Sequence, residues 1–219
     1  MKIENIYQKY NLQANLRYHQ YQVAAVTKII VESIMSVDEK LRNSLIKVAL
    51  THDMANILKF DLEKYPETTE PEGLEYWRNI KNEYKKKYGD DEHNATVSIA
   101  KEIGLNEFEI DLLNTVGFSQ GPTNLAKGDI TYMIVGYADA RVNFGSIVSI
   151  DERFEKTLAR KKANYASQGK ALDESIYNEQ HNSFRKIEEL IFKSSEILSK
   201  DIDDNKVSSY IDSLKSFEI

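Results

Sequence analysis

Hydrophobic residues recur along most of the chain at intervals of three and four positions, the spacing that places them on one side of an α-helix. The pattern predicts helices over about 15–34, 38–52, 92–103, 106–113, 129–143, 149–160, 172–200 and 207–214. No pair of segments with alternating hydrophobicity predicts a sheet. We therefore expect an all-α protein.

Short polar residues mark the starts of several predicted helices. The segments Ser36–Glu39 and Ser149–Glu152 fit a capping box, in which a hydroxyl and a carboxylate three residues later satisfy each other's backbone N–H groups. Asn106 is suited to cap the helix that runs to Leu113, and Gly104 is suited to end the helix before it. These signals indicate helices joined by short connections.

Two stretches depart from the helical pattern. Residues 61–91 contain two of the three prolines, many charges and the only tryptophan, Trp77, while residues 118–128 contain the pair Gly121-Pro122. Such segments are either lids and substrate loops or solvated helical excursions, and both interpretations stay open. The expected organisation is a core over 1–160 with a charged insertion at about 61–91, followed by a C-terminal helical extension over 161–219 that packs on the core.

Composition narrows the class of protein. Of 219 residues, 41% are hydrophobic and 29% are charged, which is typical of a packed core rather than a disordered chain. The formal charge of -6 gives no general attraction to polymeric nucleic acid or to anionic membranes. The chain contains no cysteine, and no stretch has the length and apolar character of a signal or a membrane span. We expect a cytoplasmic protein. The apolar stripe of its last long helix packs either on its own core or on a second subunit, as in a homo-oligomer.

Three of the four histidines and two aspartates stand where a metal site would use them. His19, His52 and His93 each lie at one end of a predicted helix, on the side that carries its apolar residues. Asp53 follows His52 directly, and Asp139 lies late in another apolar helix, where an unpaired buried charge would be costly. Imidazole nitrogen and carboxylate oxygen together suit several divalent metals. A single helical histidine is usually a hydrogen-bonded core residue, but several matches in order indicate a shared ion.

The order His19, then His52-Asp53, then a distant Asp139 resembles the HD-domain superfamily of metal-dependent phosphohydrolases. The resemblance extends to the local sequence at 15–24, 48–57, 91–105 and 137–142, and it covers about residues 10–160. It implies a phosphodiesterase-like helical bundle, with the C-terminal extension lying outside the similarity.

The resemblance also implies a site and a reaction. His19, His52, Asp53 and Asp139 would hold one divalent ion, either Mn, Co, Ni, Fe, Zn or Mg, with water and substrate completing its shell. The implied activity is that of a phosphomonoesterase or phosphodiesterase on a small phosphate ester, such as a nucleotide or a related metabolite. Asp53 would be catalytic, because it would also orient the attacking water.

His93 has more than one interpretation. It is either a ligand to a second metal, a catalytic acid for the leaving group, a phosphate contact, or a hydrogen-bonded helix-start residue. Dinuclear members of the superfamily usually carry two extra histidines between the His-Asp pair and the last aspartate. This chain has only His93 there, so a mononuclear site is favoured and a second metal stays open.

Candidate substrate contacts flank the proposed ligands in the sequence. They are Arg17, Asn56, Lys59, Lys127 and Arg141. Arginine suits phosphate through its forked donors. However, Arg17 and Arg141 lie two positions from a proposed ligand, a spacing that does not share a helix face. Superfamily members often carry lysine or glutamate where this chain has Asn56, which cannot transfer a proton at neutral pH.

Two alternatives to a hydrolase follow from the same residues. Some HD-domain relatives are non-haem iron oxygenases that use paired irons, which calls for more ligands than this chain offers. The second alternative is a non-catalytic, metal-stabilised ligand-binding module, which Asn56 and the acidic helical tail allow.

Overall fold

A computed structural model describes residues 1–219 as eleven α-helices and one short β-hairpin. In chain order the elements are α1 (Ile3–Lys9), α2 (Ala14–Glu32), α3 (Glu39–Thr51), α4 (Leu74–Tyr88), α5 (Glu92–Glu102), α6 (Glu107–Leu113), α7 (Gly121–Lys127), α8 (Ile134–Ala140), β1 (Val142–Asn143), β2 (Ser146–Ile147), α9 (Ile150–Ser167), α10 (Ser175–Lys193) and α11 (Asp204–Lys215). The all-α prediction is therefore confirmed, with the hairpin as a local exception. None of the helices combines the length and the apolar character that crossing a lipid bilayer requires.

Helix α2 is the centre of the molecule. Its residues from Tyr21 to Thr27 are all buried, so the helix is covered on every side rather than on one face. It packs against α3, α8 and α11, and α3 and α8 also contact each other. These contacts bring the first half of the chain and its C-terminal end onto a single hydrophobic core.

Polar caps fix several helix starts, and one differs from the prediction. Asn106 and Glu109 form a capping box at α6, and the Ser149 hydroxyl caps α9. At α3 the cap is Asp38, whose carboxylate accepts a hydrogen bond from the N–H of Leu41 at 2.8 Å. The predicted capping box that began at Ser36 does not form, because the helix starts two residues later.

The helix predicted over 129–143 is broken at both ends. It begins as a 3-10 turn at Ile130–Tyr132, continues as α8, and gives way to the antiparallel pair of β1 and β2. Phe144 and Gly145 connect the strands with φ angles of +47° and +84°, the left-handed conformation of a two-residue hairpin turn. The expectation of no strand pairing was wrong here, since two-residue strands leave almost no alternating pattern.

The segment 61–91 is docked on the core through an apolar face. It holds α4, whose Trp77, Ile80 and Tyr84 are buried. The Trp77 indole donates a hydrogen bond to the carbonyl of Thr69 at 3.1 Å, and the Tyr84 hydroxyl donates one to the carbonyl of Tyr10 at 2.6 Å. The charged positions of α4 face outward, which is the pattern of an amphipathic surface helix.

The C-terminal helices share the core of the preceding residues. Helix α10 buries Phe184, Ile187 and Ile191 and packs against α7, α8 and α9. Helix α11 packs against α2, and the chain ends beside its own beginning, where the N–H of Ile3 donates to the carbonyl of Phe217 at 2.9 Å. The apolar stripe of the tail is thus buried within this chain at Ile187 and Ile191, whereas Leu190 and Leu198 are exposed.

Candidate metal centre

Four side chains meet where α2, α3 and α8 pack together. His19 lies in the second turn of α2, His52 is the residue that ends α3, and Asp53 follows it. Asp139 lies in the last turn of α8. His19, His52 and Asp139 are placed by helices that bury most of their apolar residues, so the packing of three helices sets the geometry of the cluster.

The donor atoms of the cluster are close enough to share one ion. Oδ1 of Asp139 is 3.1 Å from Nε2 of His19 and 3.6 Å from Nε2 of His52. Oδ2 of Asp53 is 3.7 Å from both of these nitrogens. Two ligands that are each about 2.1 Å from one ion are separated by roughly 3 to 3.5 Å. The donor atoms of His19, His52 and Asp53 all lie within 4.8 Å of one another.

His52 is oriented as a metal ligand would be. Its Nδ1 lies 2.8 Å from the carbonyl oxygen of Ala49. Because a carbonyl oxygen only accepts, Nδ1 carries the hydrogen and donates it, which leaves Nε2 with a lone pair in the neutral ring. That Nε2 is buried and has no hydrogen-bond partner. A buried polar atom without a partner is rare in folded proteins. A divalent ion bound by the facing carboxylates would satisfy it.

The charges of the cluster are strongly coupled. Burial opposes protonation of His52, but the carboxylates of Asp53 and Asp139 outweigh it and raise the pKa of His52 to about 9. Burial also opposes ionisation of Asp139, yet the facing imidazoles of His19 and His52 hold its pKa well below the usual range. Without an ion, the raised pKa favours a protonated His52, but its Nε2 is 3.7 and 3.6 Å from the oxygens of Asp53 and Asp139, beyond hydrogen-bond distance. A divalent ion would compete with that proton for Nε2.

Neighbouring polar residues hold the Asp53 segment in place. The amide of Asn56 donates to Oδ2 of Asp53 at 2.7 Å, and Oε1 of Gln20 accepts from the N–H of Asp53 at 3.3 Å. The hydroxyl of Thr96 accepts from the N–H of Ala55 at 3.1 Å, which ties the same turn to α5. Asn56, predicted as a substrate contact, is thus at the site with its donor directed to Asp53. Gln20 and Thr96 were not predicted, and both are fully buried polar residues.

Arg153 is a further residue that the sequence reasoning missed. It lies in the first turn of α9, donates from Nη1 to Oδ1 of Asn143, and places its guanidinium over the ring of Phe118 at 5.1 Å. Burial lowers the pKa of Arg153, while the nearby carboxylates of Asp139 and Asp53 act in the opposite direction. No motif marks Arg153 in the sequence, because its position depends on the packing of α9, whose buried residues are Ile150, Phe154 and Thr157.

His93 is not part of the cluster. It is exposed in the first turn of α5, and its Nε2 lies 2.9 Å from Oδ1 of Asn114. The buried face of α5 runs through Ala95, Thr96 and Ile99, so His93 stands beside that face rather than on it. This placement corrects the expectation that His93 faces the core. The structure does not bring it to the other ligands, either as a second-metal ligand or as a catalytic acid.

Replacement of His93 by glutamine is expected to leave bound metal and turnover within about twofold of the parent, as for an exposed side chain far from special features. Metal content and steady-state kinetics would measure both. A loss of half or more of the bound metal, or a tenfold fall in kcat, would show that His93 reaches the centre in the working protein.

Arg141 holds separate segments of the fold together. Its guanidinium is buried and donates to the carbonyls of Val148, Ser199 and Ile202 and to the hydroxyl of Tyr137. These bonds use its donors to join α8 to the start of α9 and to the segment before α11. The prediction that Arg141 contacts substrate is corrected accordingly, because a residue two positions after a ligand points to another side of the helix.

The remaining predicted cations do not contact the cluster either. Nε of Arg17 donates to the carbonyl of Leu12 at 2.6 Å. Lys59 forms an ion pair with Glu92 at 2.5 Å, and Lys127 lies over the ring of Tyr132 at 4.2 Å. Lys59 and Lys127 are exposed. Their contacts are those of surface side chains, which keeps their role in substrate binding at the level of a prediction.

No family model, no curated protein and no solved structure matches this chain. Nε2 of His19 and Nε2 of His52 each lie within 3.7 Å of a carboxylate oxygen of both Asp53 and Asp139, and the two negative charges would balance a divalent cation. Such a set is suited to bind Zn, Mn, Fe, Co or Ni.

Proposed function

We propose that this chain is a divalent-metal-dependent phosphohydrolase of the HD-domain type that acts on a small phosphate ester. The observation that carries the proposal is the buried Nε2 of His52, which has no hydrogen-bond partner and faces His19, Asp53 and Asp139. The order of these four residues along the chain, which resembles the HD-domain pattern, supports the reaction class.

His19, His52, Asp53 and Asp139 would hold the ion. When bound, a divalent ion supplies two effects at once, because it makes a nearby water more acidic and polarises a phosphoryl oxygen. The protein residues supply orientation. Nδ1 of His52 is fixed by the carbonyl of Ala49, so its ring cannot turn away from the centre without losing that bond.

Asp53 has a second proposed role as the residue that orients the attacking water. The amide of Asn56 and the side chain of Gln20 hold its carboxylate and its backbone in place. A carboxylate fixed in this way can accept a hydrogen bond from water and set its approach to phosphorus. Asn56 does not exchange a proton at neutral pH. A proton for the leaving group must therefore come from another group or from water.

The iron oxygenase and the non-catalytic binding module have less support. A paired-iron site needs further ligands. The remaining candidate, His93, forms a hydrogen bond with Asn114 outside the cluster. No feature of the cluster favours a non-catalytic binding module over a catalyst. Both alternatives remain distinguishable by experiment.

The test is a turnover screen with the full chain. Metal-free protein would be loaded separately with Mn, Co, Ni, Zn, Fe(II) and Mg and offered p-nitrophenyl phosphate, its bis ester, and nucleoside mono-, di- and triphosphates. We expect hydrolysis with at least one metal, loss of activity with a chelator and recovery on adding the metal back. No turnover of any ester with any metal would contradict the proposal, and oxygen consumption with two bound irons would support the oxygenase.

A further inference from the structure

A cavity of about 410 Å³ opens between the β-hairpin and α9. Its lining residues are Asn143, Phe144, Ser146, Lys156, Thr157 and Arg160. No acidic side chain is among them, although the chain as a whole carries more acidic than basic residues. The composition of the lining therefore differs from that of the average surface and favours an anionic occupant.

Basic side chains converge on this cavity from one side of α9. Lys156 and Arg160 line it, and Arg153 lies one turn earlier and donates to Asn143 in the lining. Positions separated by three and seven residues share a helix face, so the three cations form one row. Lys156 pairs with Glu152 at 2.6 Å at the exposed rim, while Arg160 lies over the ring of Phe144 at 5.6 Å. Arg160 has no carboxylate partner within ion-pair distance.

Two buried polar atoms on the same helix lack partners. The side chain of Thr157 is in the lining and the residue is only 7% exposed, yet its hydroxyl makes no hydrogen bond. A helical threonine normally bonds back to a carbonyl of the preceding turn, and here it does not. Nε of Arg153 is likewise buried without a partner. Unsatisfied donors are costly to bury, and an anion would accept hydrogen bonds from both.

The cavity and the metal centre are held next to each other by the hairpin. The hairpin starts directly after α8, the helix that carries Asp139. Its turn is fixed to α2 by a hydrogen bond of 2.7 Å from the Gln22 amide to the carbonyl of Gly145, and Gln22 follows His19 by three positions. Arg153 is near enough to feel the charges of both Asp53 and Asp139. Arg153 is thus linked to the cavity through its hydrogen bond to Asn143 and to the metal centre through charge.

From this arrangement we infer that the cavity binds a second phosphate group of the substrate, with Arg153, Thr157 and Arg160 as its donors. The substrate class is then a compound with at least two linked phosphates, such as a nucleoside diphosphate or triphosphate. One phosphoryl group lies at the metal centre while its neighbour occupies the cavity. This inference rests on the proposed function for the first phosphate, but the anion site in the cavity can be tested without turnover.

The direct test is binding of inorganic pyrophosphate to the metal-free full chain, measured by titration calorimetry at low ionic strength, where screening is weak. We expect R160Q to weaken binding by about tenfold or more, since a charge-assisted hydrogen bond is lost. T157V removes only the unpartnered hydroxyl and is expected to weaken binding by about threefold without lowering Tm. K161Q is the matched control, because Lys161 is the next residue and lies over the ring of Tyr177, outside the lining. It should bind within about twofold of the parent.

No binding by the parent, or equal binding by the parent, R160Q and T157V, would overturn the cavity as a phosphate site. A second measurement separates this inference from the proposed function. In metal-loaded protein, R160Q should lower the ratio of kcat/KM for a nucleoside diphosphate to that for p-nitrophenyl phosphate by about tenfold, and K161Q should keep the ratio. Turnover with an unchanged ratio in R160Q defeats the cavity alone. Pyrophosphate binding that depends on Arg160, without hydrolysis of any ester, defeats the phosphohydrolase alone.

Discussion

Replacement of Asp139 by asparagine is expected to lower kcat/KM on any phosphate ester that this chain hydrolyses by at least about a thousandfold, which corresponds to about 4 kcal/mol. Oδ1 of Asp139 lies 3.1 Å from one histidine of the centre and 3.6 Å from the other. An amide of the same size removes one of the two negative charges that would balance the ion. Initial rates at matched metal concentrations would give the loss.

Asp151→Asn is the matched control for this variant. Asp151 also pairs with a histidine, His181, at 2.8 Å, and it accepts from Arg185, but the pair is on the surface at the start of α9. We expect kcat/KM within about twofold of the parent, as for an exposed ion pair. If Asp139→Asn kept more than a tenth of the parental kcat/KM, and Asp151→Asn lowered kcat/KM by a similar factor, the centre would not be where we place it.

Replacement of Arg141 by leucine is expected to lower the free energy of unfolding by about 3–4 kcal/mol. The guanidinium is buried and bonds three backbone carbonyls and the hydroxyl of Tyr137, so its loss leaves several buried acceptors without a donor. Urea denaturation followed by circular dichroism would measure the change, with the metal-free protein used throughout so that ligand binding does not contribute.

Arg78→Leu is the control for Arg141→Leu, because Arg78 forms an exposed ion pair with Glu63 at 2.6 Å. It should change the free energy of unfolding by less than about 1 kcal/mol. A small effect at Arg141, matching that at Arg78, would mean that its bonds to α9 and to the segment before α11 do not hold the fold together. Arg141 would then again be a candidate for substrate contact.

The helices were largely predictable because apolar spacing and caps act locally. The range predicted over about 92–103 is α5, and Asn106 does cap α6. The break around α8 was not predictable in this way. The apolar pattern of α8 continues into β1, so it gives no signal for the end of the helix. The chain turns instead at Phe144 and Gly145, where a hydrogen bond from Gln22 of α2 holds the hairpin. Tertiary contacts decided the conformation there.

The candidate ligands were predictable, but their surroundings were only partly so. His19, His52, Asp53 and Asp139 could be chosen from residue type and order, and the packing of three helices brings them together. His93 has the same apparent spacing, yet α5 is rotated so that this side chain is exposed. Gln20 and Arg153 reach the site through contacts between different segments of the chain. A single sequence does not show which segments come into contact.

The most direct test of the metal centre is elemental analysis of the full chain purified without a histidine tag, beside its Asp53→Ala variant. We predict about one equivalent of a divalent transition metal in the parent, either as purified or after reconstitution, and loss of most of it in the variant. The control is retention of the helical circular dichroism spectrum by Asp53→Ala. No bound metal in the parent after reconstitution with each candidate ion, or equal metal in parent and variant, would contradict a centre built from these residues.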